Sequence, residues 1–353
     1  MVRKILKGLQ QLSAGPAAWK ADIDRAADLL RSDIRALQQS VDRLADAQQT
    51  VFTRAARMER DAAQIKCALH LNDVERKDIA ALDERLDMAR TLAHIDTVVN
   101  HAELVMEPFP HIVVDPILPK EIYKLVLKAI PPEPFFPDKD PVKQNIRVPI
   151  EFAPIFSGRV WDFVDQVAKE CVVPAVLKKF REPLSAHYDT IFGEGFRDRA
   201  RKLPQAVSGG RLMLRRPGYH LDPHRDPKRA LVTCLLYLAR PGDSEAWGTQ
   251  VFRVTGDKEA PYTQTYYPAQ SGSQVELAGL VPFTPNTALI FLNSSGAHGA
   301  DIPADAPANL ERYSFQFYVG PGGPELDALI KDLAPERQAR WVGKGEATKT
   351  GHL

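Results

Sequence analysis

The chain has 353 residues, and 46 lysines and arginines against 45 aspartates and glutamates leave a formal net charge of +1. With 44% hydrophobic and 26% charged residues it has the composition of a globular protein with a sizeable core, in two or three domains by length. The near-neutral balance excludes a generic electrostatic affinity for nucleic acid or anionic membranes. Three widely spaced cysteines, Cys67, Cys171 and Cys234, exclude a disulfide framework or zinc knuckle and point to a reducing compartment.

The chain opens MVRKILKGLQQL, basic but interrupted by Gly8, Gln10 and Gln11, which does not read as a signal peptide. Ile5, Leu6, Leu9 and Leu12 share a helix face, as an ordinary helix start or a short membrane-surface helix would have them. The longest apolar stretch, near residues 230–239, is about half a membrane span, so no transmembrane segment and a cytoplasmic location are expected.

Up to residue 105 the only proline is Pro16, and apolar positions recur in steps of four and three: Ile23, Ala27, Leu30, Ile34, Leu37, Val41, Leu44, then Val51, Ala55, Met58, Ala62, Ile65 and Leu69. This is a heptad seam, broken in polarity by Gln48. The phase slips near residues 72–78 and resumes at Ile79, Leu82, Leu86, Ala89 and Ala93, which predicts a stammer or a helical turn-back. So narrow a stripe needs a partner, either a second copy of the chain or the following segment folded back. Self-association into a homo-oligomer is the expectation.

Beyond Met106 prolines cluster, and short β-branched and aromatic runs alternate with helix-like segments near residues 120–130 and 160–180. From Gly210 onward the runs RLMLRR, LVTCLLYL, QVFRV, TALIFLN and YSFQFYV read as strands of an all-β barrel or jelly roll flanked by helices. The predicted fold class is α+β, divided as a helical coiled-coil region at 1–105, a barrel domain at 106–323, and a C-terminal helix and tail at 324–353.

The segment RRPGYHLDPHRDPKRALVTCLLYL holds two H-x-D pairs, His220/Asp222 and His224/Asp226. A lone H-x-D is weak evidence. Here the pairs lie between two strand-like runs, and a third candidate ligand, His298, follows another strand. Two imidazoles and one carboxylate from separate strands can occupy one face of an octahedral metal and leave the other face open, an arrangement that suits non-haem Fe(II). Arg312, in the strand ERYSFQFYV, could hold a carboxylate through its guanidinium fork. Ser314, two residues on and on the same strand face, could donate to the same group. For each residue alone a loop or surface role is the simpler reading; their joint order and spacing carry the interpretation.

These residues resemble the Fe(II)/2-oxoglutarate-dependent dioxygenases, within them the prolyl-4-hydroxylase-like group. The resemblance lies in Pro217-Gly218 before His224-x-Asp226, the run Val232-Thr233-Cys234 with Tyr237-Leu238, the glycine-led strand from Gly248 to Phe252, His298, Arg312-Tyr313, and the opening EPFPHIVVDPILPKEIYKLV; it covers about residues 106–320. It implies a double-stranded β-helix, iron bound by His224, Asp226 and His298, and 2-oxoglutarate anchored by Arg312 with Tyr237 and Ser314 beside it. Dioxygen would be the second cosubstrate. The implied reaction is hydroxylation of an unactivated C–H bond, with 2-oxoglutarate converted to succinate; the resemblance leans to a prolyl or other peptidyl side chain as target and leaves open a small molecule, a free amino acid or a glycan-linked one. The carboxylate at Asp226 favours hydroxylation over halogenation. His224/Asp226 is preferred to His220/Asp222 by its distance from Gly218 and from the Val232 strand. The sequence departs from the family's pattern in a longer gap between His298 and Arg312 and in an insertion at 255–285. Two segments could shape a substrate pocket, residues 135–157 with Asn145, Arg147 and Phe152, and the insertion with Tyr262, Tyr266 and Tyr267. The rival reading is a coiled-coil assembly protein whose cupin-like barrel is inactive.

Overall fold

The computed structural model describes residues 16–69, 73–136, 140–258 and 260–341. Contacts divide the chain into two units, 1–62 and 63–353, each compact by itself. Helix α1, Pro16–Leu69, is one uninterrupted run of 54 residues, about 80 Å long at 1.5 Å per residue. Pro16 opens it, where a missing N–H costs nothing. The heptad residues Ile23, Leu30, Ile34, Leu37, Val41, Leu44, Val51, Met58 and Ile65 are all exposed. Helix α1 ends at Leu69 and α2 begins at Asp73, so most of the 72–78 stretch where the heptad phase slips is itself helical; residues 70–72 and the N-terminal stretch 1–15 lie outside the described residues. Among the described residues no helix is long and apolar enough to cross a membrane.

The helices α2 (Asp73–Ala80), α3 (Leu82–Arg85) and α4 (Met88–His101) belong to the second unit. Asp87 caps α4 by accepting from the Arg90 amide at 2.9 Å. Leu82, Ile95 and Val99 are fully buried in the same apolar cluster as the strands that follow. Strand β1 (His111–Val114) leads into α5 (Lys120–Lys128), then β2 (Lys143–Arg147) and α6 (Ile155–Val167). A π-turn at Ala168–Val172 joins α6 to α7 (Val173–Lys179). Pro174, in the first turn of α7, has no N–H to donate backwards, and the wider turn accommodates that loss. Helices α8 (Arg181–Phe192) and α9 (Arg197–Ala200) complete this layer.

The strands are β3 (Gln205–Arg215), β4 (His220–His224), β5 (Val232–Tyr237), β6 (Thr249–Thr255), β7 (Gln274–Val281), β8 (Ala288–Leu292), β9 (Ala297–Asp301) and β10 (Arg312–Pro321), followed by α10 (Pro324–Lys331) and α11 (Pro335–Trp341). They form a six-stranded sheet in the order β1-β8-β5-β10-β3-β2 and a four-stranded sheet in the order β4-β9-β6-β7, with antiparallel pairing throughout. This is the jelly-roll form of an α+β fold. Part of the 255–285 stretch is thus structural: its residues Gln274–Val281 are the outer strand of the smaller sheet.

Side chains of the larger sheet alternate between two cores, as the two-residue period of a strand requires. Leu212, Leu214, Cys234, Leu236, Ile290, Phe315 and Phe317 join the cluster shared with the helices. Met213, Leu235, Tyr237, Leu289 and Phe291 join a second cluster with Val251 and Val281 of the facing sheet and with Phe283 just beyond it. The candidate site opens from this inner face.

Candidate metal and cosubstrate site

The turn from β3 to β4 passes through Gly218 at φ 88°, a left-handed conformation that glycine adopts without strain. It delivers β4 alongside β9, where His224 and His298 are register partners, and β9 lies in turn against β6. Directly opposed residues of antiparallel strands project to one face, so both imidazoles point the same way, with ring centroids 4.2 Å apart. Asp226 joins them two residues beyond His224. Between them the Arg225 backbone exchanges hydrogen bonds with Tyr266, at 2.8 and 2.9 Å. The Arg225 side chain leaves in another direction, to Asp257 and the Gly296 carbonyl.

The three candidate ligand atoms lie within 4.8 Å of one another, and all three residues are buried. Asp226 oxygens stand 3.8 Å from His224 Nε2 and 3.6 Å from His298 Nε2. His224 Nδ1 is 2.9 Å from the Asp222 carbonyl, which only accepts, so the proton sits on Nδ1 and Nε2 keeps its lone pair toward the centre. Burial, helped by the neighbouring His224, pushes the His298 pKa down to about 3, which keeps this imidazole neutral and able to ligate. The Asp226 carboxylate is held from both sides. Thr233 donates to Oδ2 at 2.8 Å and is itself supported by Asn293 at 2.9 Å; Tyr318 donates to Oδ1 at 3.2 Å and accepts from Arg211 at 3.0 Å. Two imidazole nitrogens and one oriented carboxylate, converging in a buried place, fit a divalent first-row metal.

Arg312 opens β10 on the inner face, with 3% of its surface exposed. Its Nε donates to the Trp247 carbonyl, Nη1 lies 3.5 Å from Ser314 Oγ, and Nη2 is buried with no partner. The guanidinium carbon stands 4.8 Å from the Phe283 ring centroid and 5.5 Å from that of Tyr237. Burial holds its pKa below the usual arginine value. Among the described residues no carboxylate pairs with it. A buried donor left unpaired is costly, and a ligand carboxylate would satisfy this one, so the residues fit a dicarboxylate cosubstrate.

The structure therefore brings His224, Asp226 and His298 together and places Arg312 and Ser314 side by side. Tyr237 flanks Arg312 with its ring, but its hydroxyl donates to Thr249 Oγ1 at 2.8 Å, and burial raises its pKa to about 12. His220 stands apart from the metal site. It is exposed and bonded to Asp301 at 2.8 Å and Asp222 at 3.0 Å, and those two carboxylates raise its pKa. Of the insertion tyrosines, Tyr267 lies 5.8 Å from the His224 ring, while Tyr262 and Tyr266 are buried in structural contacts with Arg340 and Ser273. Sequence reasoning missed Thr233, Asn293, Arg211, Gln316 and Tyr318. The last two share strand parity with Arg312 and Ser314, which was a usable signal for the inner face.

In comparisons with known proteins, no family model matches the chain and no curated protein matches it. Solved structures do. A 2OG-Fe(II) oxygenase family oxidoreductase from Burkholderia pseudomallei aligns over 66% of this chain and 90% of its own, at 10% identity and a TM-score of 0.36. A Pseudomonas putida prolyl-4-hydroxylase aligns over 66% of this chain and all (100%) of its own, at 15% identity and a TM-score of 0.34. HygX from Streptomyces hygroscopicus, solved with nickel, 2-oxoglutarate and hygromycin B, aligns over 60% of this chain and 82% of its own, at 14% identity and a TM-score of 0.36. These likenesses are loose, and the functional reading stands on the site itself.

Proposed function

We propose that the protein is a non-haem Fe(II)/2-oxoglutarate-dependent dioxygenase. The observation that carries this is the buried His224–Asp226–His298 cluster in one barrel with an inner-face arginine whose Nη2 has no partner. His224, Asp226 and His298 would hold the metal, and Arg312, with Ser314 beside it, would take the far carboxylate of 2-oxoglutarate. When bound, the iron, 2-oxoglutarate and dioxygen supply the oxidising power: hydroxylation of an unactivated C–H bond coupled to formation of succinate. The chain's own residues hold and orient. The Asp222 carbonyl sets the His224 tautomer, Thr233 and Tyr318 fix the carboxylate plane of Asp226, and the rings of Tyr237 and Phe283 keep water from the Arg312 fork. The target is a prolyl or other peptidyl side chain by the resemblance of residues 106–320, with a small molecule as the alternative.

Anaerobic titration with Fe(II) and then 2-oxoglutarate, followed on exposure to air by assay of succinate, tests the reading. Expected is one metal per chain and slow succinate release. No metal uptake by the intact chain would sink it. The rival, an assembly protein with an inactive barrel, predicts no succinate under any condition; the complete ligand cluster favours the enzyme. We also propose that the heptad seam of α1 pairs with a second copy, since it leaves large apolar residues exposed over most of the helix. Buried free thiols at Cys171 and Cys234 suit a reducing compartment, and the cytoplasm is the proposed location.

A further inference from the structure

The inner face of the larger sheet carries more positive charge than one dicarboxylate needs. Register places Lys143 of β2 opposite Arg215 of β3, and Arg215 opposite Arg312 of β10, so one row across three strands is Lys, Arg, Arg. A second row runs Arg147, Arg211, Gln316. Between them lies Asn145, Met213, Ser314, and Met213 belongs to the core between the two sheets, which marks this as the inner face. Like charges directly opposite one another destabilise a sheet, and here there are three such pairs, Lys143/Arg215, Arg215/Arg312 and Arg147/Arg211. The chain's net charge of +1 makes the concentration local.

The second row is the informative one. Arg211 donates through Nε and Nη2 to Gln316 Oε1 and through Nη2 to the Tyr318 hydroxyl, all neutral acceptors. These bonds orient the guanidinium without neutralising it. Arg147, its cross-strand neighbour, is exposed, and among the described residues neither arginine has a carboxylate partner. Tyr318 links Arg211 directly to Asp226, so Arg211 stands one hydroxyl away from the proposed metal ligands, in a different row from Arg312, with Arg147 opposite it on the neighbouring strand.

We propose that Arg211 and Arg147 form an anion-recognition subsite and that the substrate carries an oxyanion, a carboxylate or a phosphate, beside the carbon to be oxidised. This rests on the oxygenase reading of the metal site. Two guanidinium forks on adjacent strands grip one oxyanion through parallel charge-assisted hydrogen bonds, relieve the like-charge pair, and fix the substrate relative to Asp226. A neutral prolyl side chain would leave the charge of that pair uncompensated.

The test uses the full chain loaded with Zn(II), a redox-inert stand-in, at saturating 2-oxoglutarate so that Arg312 is occupied. Phenyl phosphate, benzoate and neutral benzamide are titrated calorimetrically. Expected is binding of one or both oxyanions at least about tenfold tighter than benzamide, weakening with added salt. The stronger of the two identifies phosphate or carboxylate. Arg147→Glu, at an exposed position, and Arg211→Gln should each weaken it by about tenfold or more, while Arg211→Lys should keep only part of the affinity, because it keeps the charge and loses the fork. Failure of both oxyanions to bind, equal binding of benzamide, or affinity unchanged in both charge-removing variants overturns the proposal. So does binding that vanishes as 2-oxoglutarate is raised, which would put the anion on Arg312. Succinate release by the Fe(II)-loaded chain is measured in parallel. Oxyanion binding without succinate defeats the oxygenase reading alone, and succinate without oxyanion binding defeats this inference alone.

Discussion

Asp226 shows how much of the candidate site is built by residues that are not themselves candidate metal ligands. Its two oxygens are held by Thr233 and Tyr318, which lie 7 and 92 residues away in sequence. Thr233→Val removes one of these donors without changing the size of the side chain much. It should weaken Fe(II) binding by about 10-fold, the order expected for a group that orients a ligand, whereas Asp226→Ala should abolish stoichiometric uptake; metal analysis after dialysis checks both. Arg312→Ala should raise the 2-oxoglutarate concentration needed for half-maximal succinate release by about 100-fold, from loss of a charge-assisted bidentate contact. Arg312→Lys should recover part of it, and an unchanged requirement would remove this residue from the site. His187 of α8 is a separate case. Burial, with nearby Lys228, pushes its pKa down to about 3. The unfolded chain, with an ordinary histidine pKa, takes up the proton first. The contribution is thus fully present above about pH 6.5 and is lost as pH falls toward 3, at up to about 1.4 kcal/mol per pH unit. Urea unfolding of His187→Leu should show a smaller loss of stability between pH 7 and pH 4 than the parent chain.

At the scale of elements, α1 and β10 are opposites. Helix α1 presents large apolar residues to solvent along its heptad, and a lone helix gains nothing from them. The seam should associate, with the stretch containing Ile34, Leu37, Val41 and Leu44 contributing most because its alanines are fewest. Replacing Leu37 and Leu44 by lysine should convert an oligomer to a monomer in light scattering while metal binding persists; a monomeric parent chain would refute the association. Strand β10 is buried on both faces. Its odd positions Tyr313, Phe315 and Phe317 pack on the helices, and its even positions Arg312, Ser314 and Gln316 face the barrel interior. Its polar residues therefore mark a lined interior rather than a solvent face.

For the whole molecule, the division at residues 62 and 63 matters for dissection. Composition changes near residue 105, yet Leu82, Ile95 and Val99 are buried with the barrel's outer core. A chain beginning at Asp73 keeps α2 to α4 and should fold, bind one Fe(II) and be monomeric. One beginning at Glu103 removes three fully buried apolar side chains, each worth about 1.5–3 kcal/mol of burial, and should melt well below it in thermal denaturation.

The sequence by itself determined what depends on short range. The heptad of α1, the two-residue alternation of β5, β8 and β10, and the Pro217-Gly218 turn before the H-x-D pairs are all written in residues close together, where helix and strand periods act. The order of the candidate residues His224, Asp226, His298 and Arg312 was legible for the same reason, as possible ligand types hung on recognisable strands. The tertiary structure alone decided what depends on register between distant strands. Pairing of β4 with β9 sets His224 against His298 and leaves His220 to Asp301 at the surface. The meeting of β5 and β10 around Asp226 supplies Thr233 and Tyr318. Alignment of β2, β3 and β10 stacks the cations of residues 143, 147, 211, 215 and 312 into rows, because a shift of one residue in any strand would have turned every one of those side chains to the other face.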